Sequence, residues 1–131
     1  MFENKLDTKN LISFCNETLD VSGKIALAHF RDVRDLTIKN DESPVTLADK
    51  QIEQVIRREI EKKYPNHNIV GEEFEVLNNE SEYTWYIDPI DGTRSFVAGK
   101  NDFGTLIALV KNEEIIGGVI DCPALKERWI S

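Results

Sequence analysis

The sequence is poor in the features that mark secreted, membrane-spanning and metal-thiolate proteins. It has only two cysteines among 131 residues, Cys15 and Cys122, with no CxxC spacing. Two reduced thiols are therefore expected rather than a disulfide or a zinc site. No apolar run approaches the roughly 18 residues of a membrane span. The N-terminus has no basic segment followed by an apolar one, so no signal peptide is expected. These absences favour a cytoplasmic protein without a membrane partner.

The chain also lacks an excess of basic residues. It has 16 lysine and arginine residues against 24 aspartate and glutamate residues, a formal net charge of −8. Because the neutralisation of nucleic-acid phosphates requires clustered lysine and arginine, a nucleic-acid partner is not expected. Hydrophobic residues make up 40% of the chain and charged residues 31%. That balance is typical of a globular domain with a buried core.

The spacing of apolar residues predicts two helices in the first half of the chain. One helix is expected over about residues 8–30, with a weak point at Gly23. A second helix is expected to start at Thr46, the first residue of a Thr-x-x-acid capping box. It should end near Tyr64, because proline follows and cannot continue a helix. Between the two helices, the polar residues 34–45 predict mainly a loop.

The second half of the chain changes to the short apolar runs that are typical of β-strands. Five strands are predicted: Asn68–Gly71, Tyr83–Ile87, Phe103–Val110, Ile115–Ile120 and Glu127–Ile130. Helices followed by strands predict an α+β fold, with the helix pair packed on an antiparallel sheet. Since the last strand pair lies at the very end of the sequence, we expect residues 1–131 to be the N-terminal α+β domain of a longer protein.

Some conspicuous residues are predicted to have structural roles only. Trp85 and Trp129 are expected in the core rather than in a binding site. His67 lies beside no acid or serine constellation, so it is expected at the surface. The charged residues of the second helix, Glu53 among them, are expected to form its solvated face.

Four carboxylates follow two of the predicted strands. Glu72 and Glu73 come directly after the first strand, and Asp88 and Asp91 come just after the second. Acids at the ends of two adjacent strands lie at one edge of the sheet, where they repel one another unless a cation sits among them. Oxygen ligands of this kind suit Mg²⁺. For the Glu72 and Glu73 pair alone, solvated surface acids are the more common alternative.

The segment Asp-Pro-Ile-Asp-Gly-Thr, residues 88–93, combines several features of a phosphate and metal site. Pro89 restricts Asp88 to extended geometry. Gly92 permits a backbone conformation that a side chain disfavours. Gly92 and Thr93, at the start of a short helix, would present amide groups to an anion. On spacing alone, a purely structural turn is an equal alternative.

The order of three motifs resembles the inositol monophosphatase family of Mg²⁺-dependent phosphomonoesterases. The motifs are SPVTLAD at residues 43–49, GEEF at residues 71–74 and DPIDGTRSF at residues 88–96. The stretch after Thr93 is most similar to the histidinol-phosphate phosphatase branch, because inositol-specific members usually have Thr-Asn-Phe where this sequence has Arg-Ser-Phe. The resemblance implies part of a layered αβαβα sugar-phosphatase-like fold, and a homodimer in the full-length form.

The resemblance assigns the acidic residues to two Mg²⁺ sites. Glu72, Asp88 and the backbone carbonyl of Ile90 are the implied ligands of a first ion. Asp88 would bridge to a second ion, which Asp91 also holds, and Glu73 would act in catalysis near the metal and its waters. The family supplies another ligand from a Trp-Asp-x-Ala-Ala-Gly motif in its C-terminal half. Nothing in this sequence matches that motif.

The resemblance further implies hydrolysis of a small phosphorylated metabolite by direct attack of water. Asp49 and Thr93 would orient and deprotonate that water, and the amides of Gly92 and Thr93 would hold the phosphate. Lys39 falls where many members carry a lysine near the site. L-histidinol phosphate is the first expected substrate and inositol 1-phosphate the second. A truncated, non-catalytic metal-binding remnant is the alternative from another functional class.

Overall fold

Two long helices precede a five-stranded sheet in a computed structural model that describes residues 7–30 and 44–131. Lys39 and nearly all of the loop predicted over residues 34–45 lie outside the described residues. The elements are α1 (Thr8–His29), α2 (Pro44–Lys63), β1 (Asn68–Val70), β2 (Tyr83–Asp91), α3 (Thr93–Ala98), β3 (Gly104–Lys111), β4 (Glu114–Cys122) and β5 (Glu127–Ile130). The order of two helices and then strands confirms the predicted succession, with α3 between the second and third strands.

The first helix matches its predicted range closely, whereas the second begins earlier than predicted. Asp7 caps α1, since its side chain accepts a hydrogen bond of 3.0 Å from a first-turn amide. The helix continues through Gly23 without a break. α2 begins at Pro44 rather than Thr46, because proline fits the first turn of a helix, where its missing N–H has no intrahelical partner. No helix in the described ranges is both long and apolar enough to cross a membrane.

The five strands form one mixed sheet in the order β1-β2-β3-β4-β5. β1 pairs with β2 in parallel, and the other three pairs are antiparallel. The antiparallel sheet predicted from the sequence is therefore confirmed for three pairs and is wrong for the pair of β1 and β2. The parallel pair requires the chain to return along β1 before β2 begins. The side chain of Asn68 holds this return, because its oxygen accepts hydrogen bonds from the amides of Asn79 at 2.7 Å and Ser81 at 3.2 Å.

The second strand is longer than predicted and runs through the Asp-Pro-Ile-Asp segment. β2 extends to Asp91, so Asp88 lies within the strand rather than in a loop after it. The pairing with β3 shifts its register between these two acids, and Pro89 lies in the irregular stretch. A bulge tolerates proline because no ladder hydrogen bond is needed there. The buried hydroxyl of Thr105 donates to the Pro89 carbonyl at 2.8 Å and anchors the bulge.

The helix pair packs on one face of the sheet and buries the core there. Inward-pointing residues alternate along the strands, as Trp85 and Ile87 show on β2. They pack against apolar residues of α1 and α2, namely Phe14, Leu19, Ala26, Ile52, Ile56 and Ile60. The core position predicted for Trp85 is confirmed. Trp129 is 55% exposed on the opposite face, so its predicted core position is wrong.

Two polar residues that were expected at the surface pack inside the protein. His67 is half-buried and stacks on the rings of Tyr64 and Tyr83, with centroid distances of 4.9 and 4.8 Å. It also accepts a hydrogen bond of 2.9 Å from Nε1 of Trp85, and burial lowers its pKa. Glu53 is fully buried, so its assignment to the solvated face of α2 is wrong.

Candidate metal and phosphate site

Three elements bring acidic side chains to one edge of the sheet. β1 and β2 are adjacent and parallel, so both strands end at the same edge. Glu72 and Glu73 follow β1, and Asp88 lies near the end of β2. Asp49 belongs to the same group and lies in the N-terminal half of α2. It is near enough to the other three acids for their charges to raise the pKa of its carboxyl. The shared edge of Glu72, Glu73 and Asp88 is expected from the order of strands and acids in the sequence, whereas Asp49 is implied only by the family resemblance.

Asp49 has the most strongly perturbed carboxyl of this group. Burial, followed by the charges of Glu73 and Glu72, raises the pKa of Asp49 to about 7. Asp88 and Glu53 add smaller effects in the same direction. Because neighbouring negative charges disfavour ionisation, Asp49 keeps a proton to a much higher pH than an ordinary aspartate.

The carboxyls of Glu72 and Asp88, at the ends of β1 and β2, also have raised pKa values. Burial and then the charge of Asp88 raise the pKa of Glu72, and burial and then the charge of Asp91 raise the pKa of Asp88. A hydrogen bond between the carboxyls of Glu72 and Asp88 raises the pKa of Glu72 further and opposes the rise at Asp88. Asp91 itself is exposed at the end of β2. A cation among these groups would relieve the repulsion.

Two oxygen atoms of this group are buried without a hydrogen-bond partner: Oδ1 of Asp49 and Oδ1 of Asp88. Buried polar atoms normally have a partner, and carboxylate oxygens are preferred ligands of Mg²⁺. The donor set therefore fits a hard cation. Within residues 7–30 and 44–131, no three acidic, histidine or cysteine side chains form a ready-made metal cluster.

The turn after β2 has the backbone geometry predicted for it. Gly92 precedes α3 with φ 85° and ψ 46°, a left-handed conformation that favours glycine. A Cβ at this position would lie 3.4 Å from the Cα of Phe103. Thr93 opens α3, and its hydroxyl donates a long hydrogen bond of 3.5 Å to the carbonyl of Ile90. The pairing of this hydroxyl with Asp49 stays a prediction.

Two buried residues that shape this site were missed by the sequence analysis. Glu53 accepts hydrogen bonds from the backbone that carries the acids after β1. A signal for its burial exists, because Glu53 lies three residues before Ile56 and seven before Ile60, on the apolar face of α2. Thr105, which holds the carbonyl of Pro89, carries no such signal, since threonine is common in any strand.

The profile of the inositol monophosphatase family matches residues 7–131. This chain belongs to the inositol monophosphatase family. Membership agrees with the family suggested by the three sequence motifs, two of which, at residues 71–74 and 88–96, lie wholly within the described residues.

Members of the family with different names are similar to this chain. The chloroplastic bifunctional phosphatase IMPL2 of Arabidopsis thaliana is 45% identical over 117 residues, which are 88% of this chain and 34% of that protein. A histidinol-phosphatase of Chlorobaculum parvum is 41% identical and is matched over 86% of this chain and 44% of its own length. An inositol-1-monophosphatase of Rhizobium meliloti is 34% identical, with corresponding shares of 82% and 42%.

Solved structures of the family share the fold. The inositol monophosphatase from Zymomonas mobilis superposes with a TM-score of 0.81 at 36% identity, covering 96% of this chain and 48% of that one. The inositol monophosphatase of Thermotoga maritima superposes with a TM-score of 0.75 at 32% identity, covering 93% and 48%. These neighbours confirm the layered α/β fold class. The chain spans about a third to a half of the length of these relatives.

Proposed function

We propose that this chain is the N-terminal half of a Mg²⁺-dependent phosphomonoesterase. Family membership supports phosphatase chemistry. The observation that carries the metal proposal is the group of acids at the sheet edge, with raised pKa values and two buried oxygens that lack partners. Bound Mg²⁺ supplies a Lewis acid that polarises the phosphate and lowers the pKa of a bound water.

The acids at the edge of the sheet divide into two proposed ligand sets. Glu72, Asp88 and the carbonyl of Ile90 would hold a first ion, and Asp88 with Asp91 would hold a second. Glu73 stands next to Glu72, and its charge acts on Asp49, which supports a place beside the metal-bound waters. Burial and neighbouring negative charges raise the pKa values of Glu72 and Asp88, so a cation beside these two carboxyls would favour their ionised forms.

The remaining residues would act on the water and the phosphate. Asp49 would take the proton of the attacking water, and the charges of Glu73 and Glu72 that act on its carboxyl support its place within the acidic group. The hydroxyl of Thr93 would orient the same water. The amides of Gly92 and Thr93 would bind phosphate oxygens, which the left-handed turn at Gly92 supports by exposing this backbone at the start of α3.

L-histidinol phosphate is the substrate that we propose first. Three similar relatives named histidinol-phosphatase are 38–41% identical to this chain, against 34% for the inositol-1-monophosphatase of Rhizobium meliloti. The Arg94-Ser95-Phe96 stretch points in the same direction. Inositol 1-phosphate is the second candidate. We also propose a cytoplasmic location and, for the full-length protein, a homodimer.

Phosphate release tests this function directly. The chain, supplied with the C-terminal half of the enzyme, is incubated with L-histidinol phosphate, inositol 1-phosphate or an adenosine bisphosphate, with Mg²⁺ or with a chelator. We expect Mg²⁺-dependent turnover that is fastest with L-histidinol phosphate. A preference for inositol 1-phosphate would reassign the substrate. Mg²⁺ binding without release from any of the three would favour the non-catalytic metal-binding alternative.

A further inference from the structure

The carboxylate of Glu53 lies fully buried against the loop that carries Glu72 and Glu73. Its Oε1 accepts hydrogen bonds from the backbone amides of Glu72 at 2.8 Å and Glu73 at 3.0 Å. Its Oε2 accepts a third hydrogen bond from the amide of Phe74 at 3.2 Å. Three consecutive amides therefore converge on one carboxylate. Hydrogen bonds to an ionised acceptor are roughly twice as strong as those between neutral groups.

Arg57 completes this contact and balances the buried charge. Its Nε donates to Oε2 of Glu53 at 2.8 Å, and the two side chains are 12% and 0% exposed. Its Nη2 donates to the carbonyl of Phe74 at 3.1 Å, and the guanidinium lies 5.9 Å from the centroid of the Phe74 ring. Residues one turn apart on α2 thus bind both the amides and a carbonyl of the same loop.

Gly71 provides the space for this contact. A Cβ at Gly71 would collide with the carboxyl carbon and both oxygens of Glu53. Gly71 is not among the glycines of the described chain with positive φ, which are Gly92 and Gly99. Its requirement for glycine therefore comes from the close approach of Glu53 and not from its backbone conformation. Glycine is therefore required immediately before Glu72 and Glu73 because the Glu53 carboxylate of α2 occupies the space that a side chain would need.

We propose that Glu53 is a positioning residue that fixes the direction in which Glu72 and Glu73 leave their loop. Two of the three amides belong to Glu72 and Glu73 themselves, and the third belongs to the next residue, so holding this backbone restricts the orientations of the two carboxyls. The metal-binding consequence rests on the proposed function, because Glu72 is a ligand only there. Loss of the partners that orient metal ligands typically costs about 10–100-fold in metal affinity.

Glu53→Gln tests the proposal with little change of shape. Glutamine replaces one accepting oxygen with an NH₂ group that donates, and it removes the charge. In the metal-free chain, amide hydrogen exchange should show at least a tenfold loss of protection at residues 72–74. Calorimetry should show Mg²⁺ affinity reduced by about 10–100-fold. Glu59→Gln is the matched control, because Glu59 is a partly exposed acid of the same helix that pairs with Lys62 at 3.6 Å. It should leave both measurements unchanged.

Gly71→Ala breaks the same contact from the opposite side without changing any charge. The new methyl group should displace the Glu53 carboxylate and produce the same local loss of amide protection. Gly117→Ala is its control, because a Cβ there meets only an ordinary contact with the Ser131 carbonyl at 3.5 Å. The double variant should lose no more protection than the worse single variant, since both changes remove one interaction. If Glu53→Gln fails to fold, the amide protection of residues 72–74 in Gly71→Ala tests the proposal.

The outcomes separate the positioning role from the proposed function. Unchanged protection of residues 72–74 in a folded Glu53→Gln or Gly71→Ala chain would overturn the proposal. Lost protection with undiminished Mg²⁺ affinity would overturn its metal-binding part. If the unaltered chain binds no Mg²⁺ while both variants lose protection, the proposed metal site fails and the role of Glu53 in holding the loop is supported.

Discussion

The ionised carboxyl of Asp88 destabilises the metal-free fold. Burial and the charge of Asp91 raise its pKa, and its Oδ1 is buried without a partner. A raised carboxyl pKa means that the folded chain binds the proton more tightly than the unfolded chain, so ionisation at neutral pH lowers the free energy of unfolding. A cation bound by Asp88 would offset this penalty, and the net stabilisation of the fold is set by the concentration of the cation relative to its dissociation constant.

The change Asp88→Asn should therefore act in opposite directions with and without metal. In the presence of a chelator at neutral pH, the variant should be at least as stable as the unaltered chain. Mg²⁺ at about 100 times its dissociation constant should stabilise the unaltered chain by about 2.7 kcal/mol and the variant hardly at all. Thermal unfolding measures both effects. Asp102→Asn, which removes an exposed acid outside the proposed ligand set, is the control. Undiminished Mg²⁺ affinity in Asp88→Asn would contradict its assignment as a ligand.

Thr93→Ala separates the role of the hydroxyl from that of the backbone. In the complete enzyme, we expect turnover to fall by about 10²–10⁴-fold, the usual contribution of a group that acts on the transferred proton. Mg²⁺ affinity should change little, because the amide and the neighbouring carboxyls remain. Ser95→Ala removes another hydroxyl from α3 and should keep nearly full activity. Near-normal turnover of Thr93→Ala would mean that the metal activates the water without this hydroxyl.

At the level of the elements, α2 brings a negative charge to a sheet edge that already carries several. The pKa of Asp49 rises from 3.8 to about 7 in the folded chain. Between these two pH values the folded state binds more protons than the unfolded state. The stabilisation from this proton is therefore present at the acidic end of the window and is lost as the pH rises through about 7.

Comparison with Asp49→Asn should reveal this titration. In a chelator, we expect the variant to gain stability relative to the unaltered chain as the pH rises from about 5 to about 8. Only the difference in unfolding free energy between the two chains is informative, because His67, whose pKa is lowered by burial, titrates in both of them. Saturating Mg²⁺ should reduce the difference, since the cation screens the acids. Urea unfolding at each pH provides the measurement, and a difference that stays constant with pH would contradict the raised pKa.

Periodicity in the sequence predicts the kind and order of the elements better than their pairing. The helices and all five strands lie close to their predicted positions, because each depends on local apolar spacing. The parallel pairing of β1 with β2 depends instead on how residues 71–82 return along the sheet, held by distant bonds to Asn68. The extension of β2 through Pro89 depends on a bulge that β3 anchors. Neither contact is visible in local spacing.

The difference between local sequence features and contacts that are distant in sequence also applies to the site. The acids at the sheet edge could be predicted because strand ends and residue types are both local properties. Glu53 could not be placed by its charge alone, since its partners are amides 19–21 residues further along the chain. A charged residue on the apolar face of a helix is the available signal, and it identifies a buried carboxylate only when a compensating partner such as Arg57 is found.

On the scale of the whole molecule, the two faces of the sheet differ. The open face, defined by Tyr86, Ile120 and Trp129, lies opposite the helices, and these side chains are 46%, 46% and 55% exposed. A broad depression of about 800 Å³ along this face is lined by these three residues and also by Glu72 and Asp88. Contiguous exposed apolar surface of this kind marks an interaction surface. The acidic edge therefore borders a largely apolar, exposed surface.

The open face should make the isolated 131-residue chain self-associate. Sedimentation should show oligomers or aggregates whose amount falls when Trp129→Ser and Ile120→Lys are introduced together, because both changes reduce the apolar area. Leu27→Ser, at a 45% exposed position on α1, is the control and should leave association unchanged. A monodisperse monomer of the unaltered chain would contradict this prediction.

The isolated chain should also have negligible phosphatase activity. Asp88 and Asp91 supply only part of the second proposed Mg²⁺ shell, and Mg²⁺ requires near-octahedral coordination and gives up water reluctantly. Weak binding of one ion removes charge stabilisation on which the transition state depends. Activity should return when the C-terminal half of the enzyme is supplied as a continuation or as a separate polypeptide that covers the open face. The measurement is Mg²⁺-dependent phosphate release at equal protein concentration. Robust turnover by a monodisperse preparation with a confirmed mass of 15.0 kDa would mean that residues 1–131, or a second copy of them, complete the site.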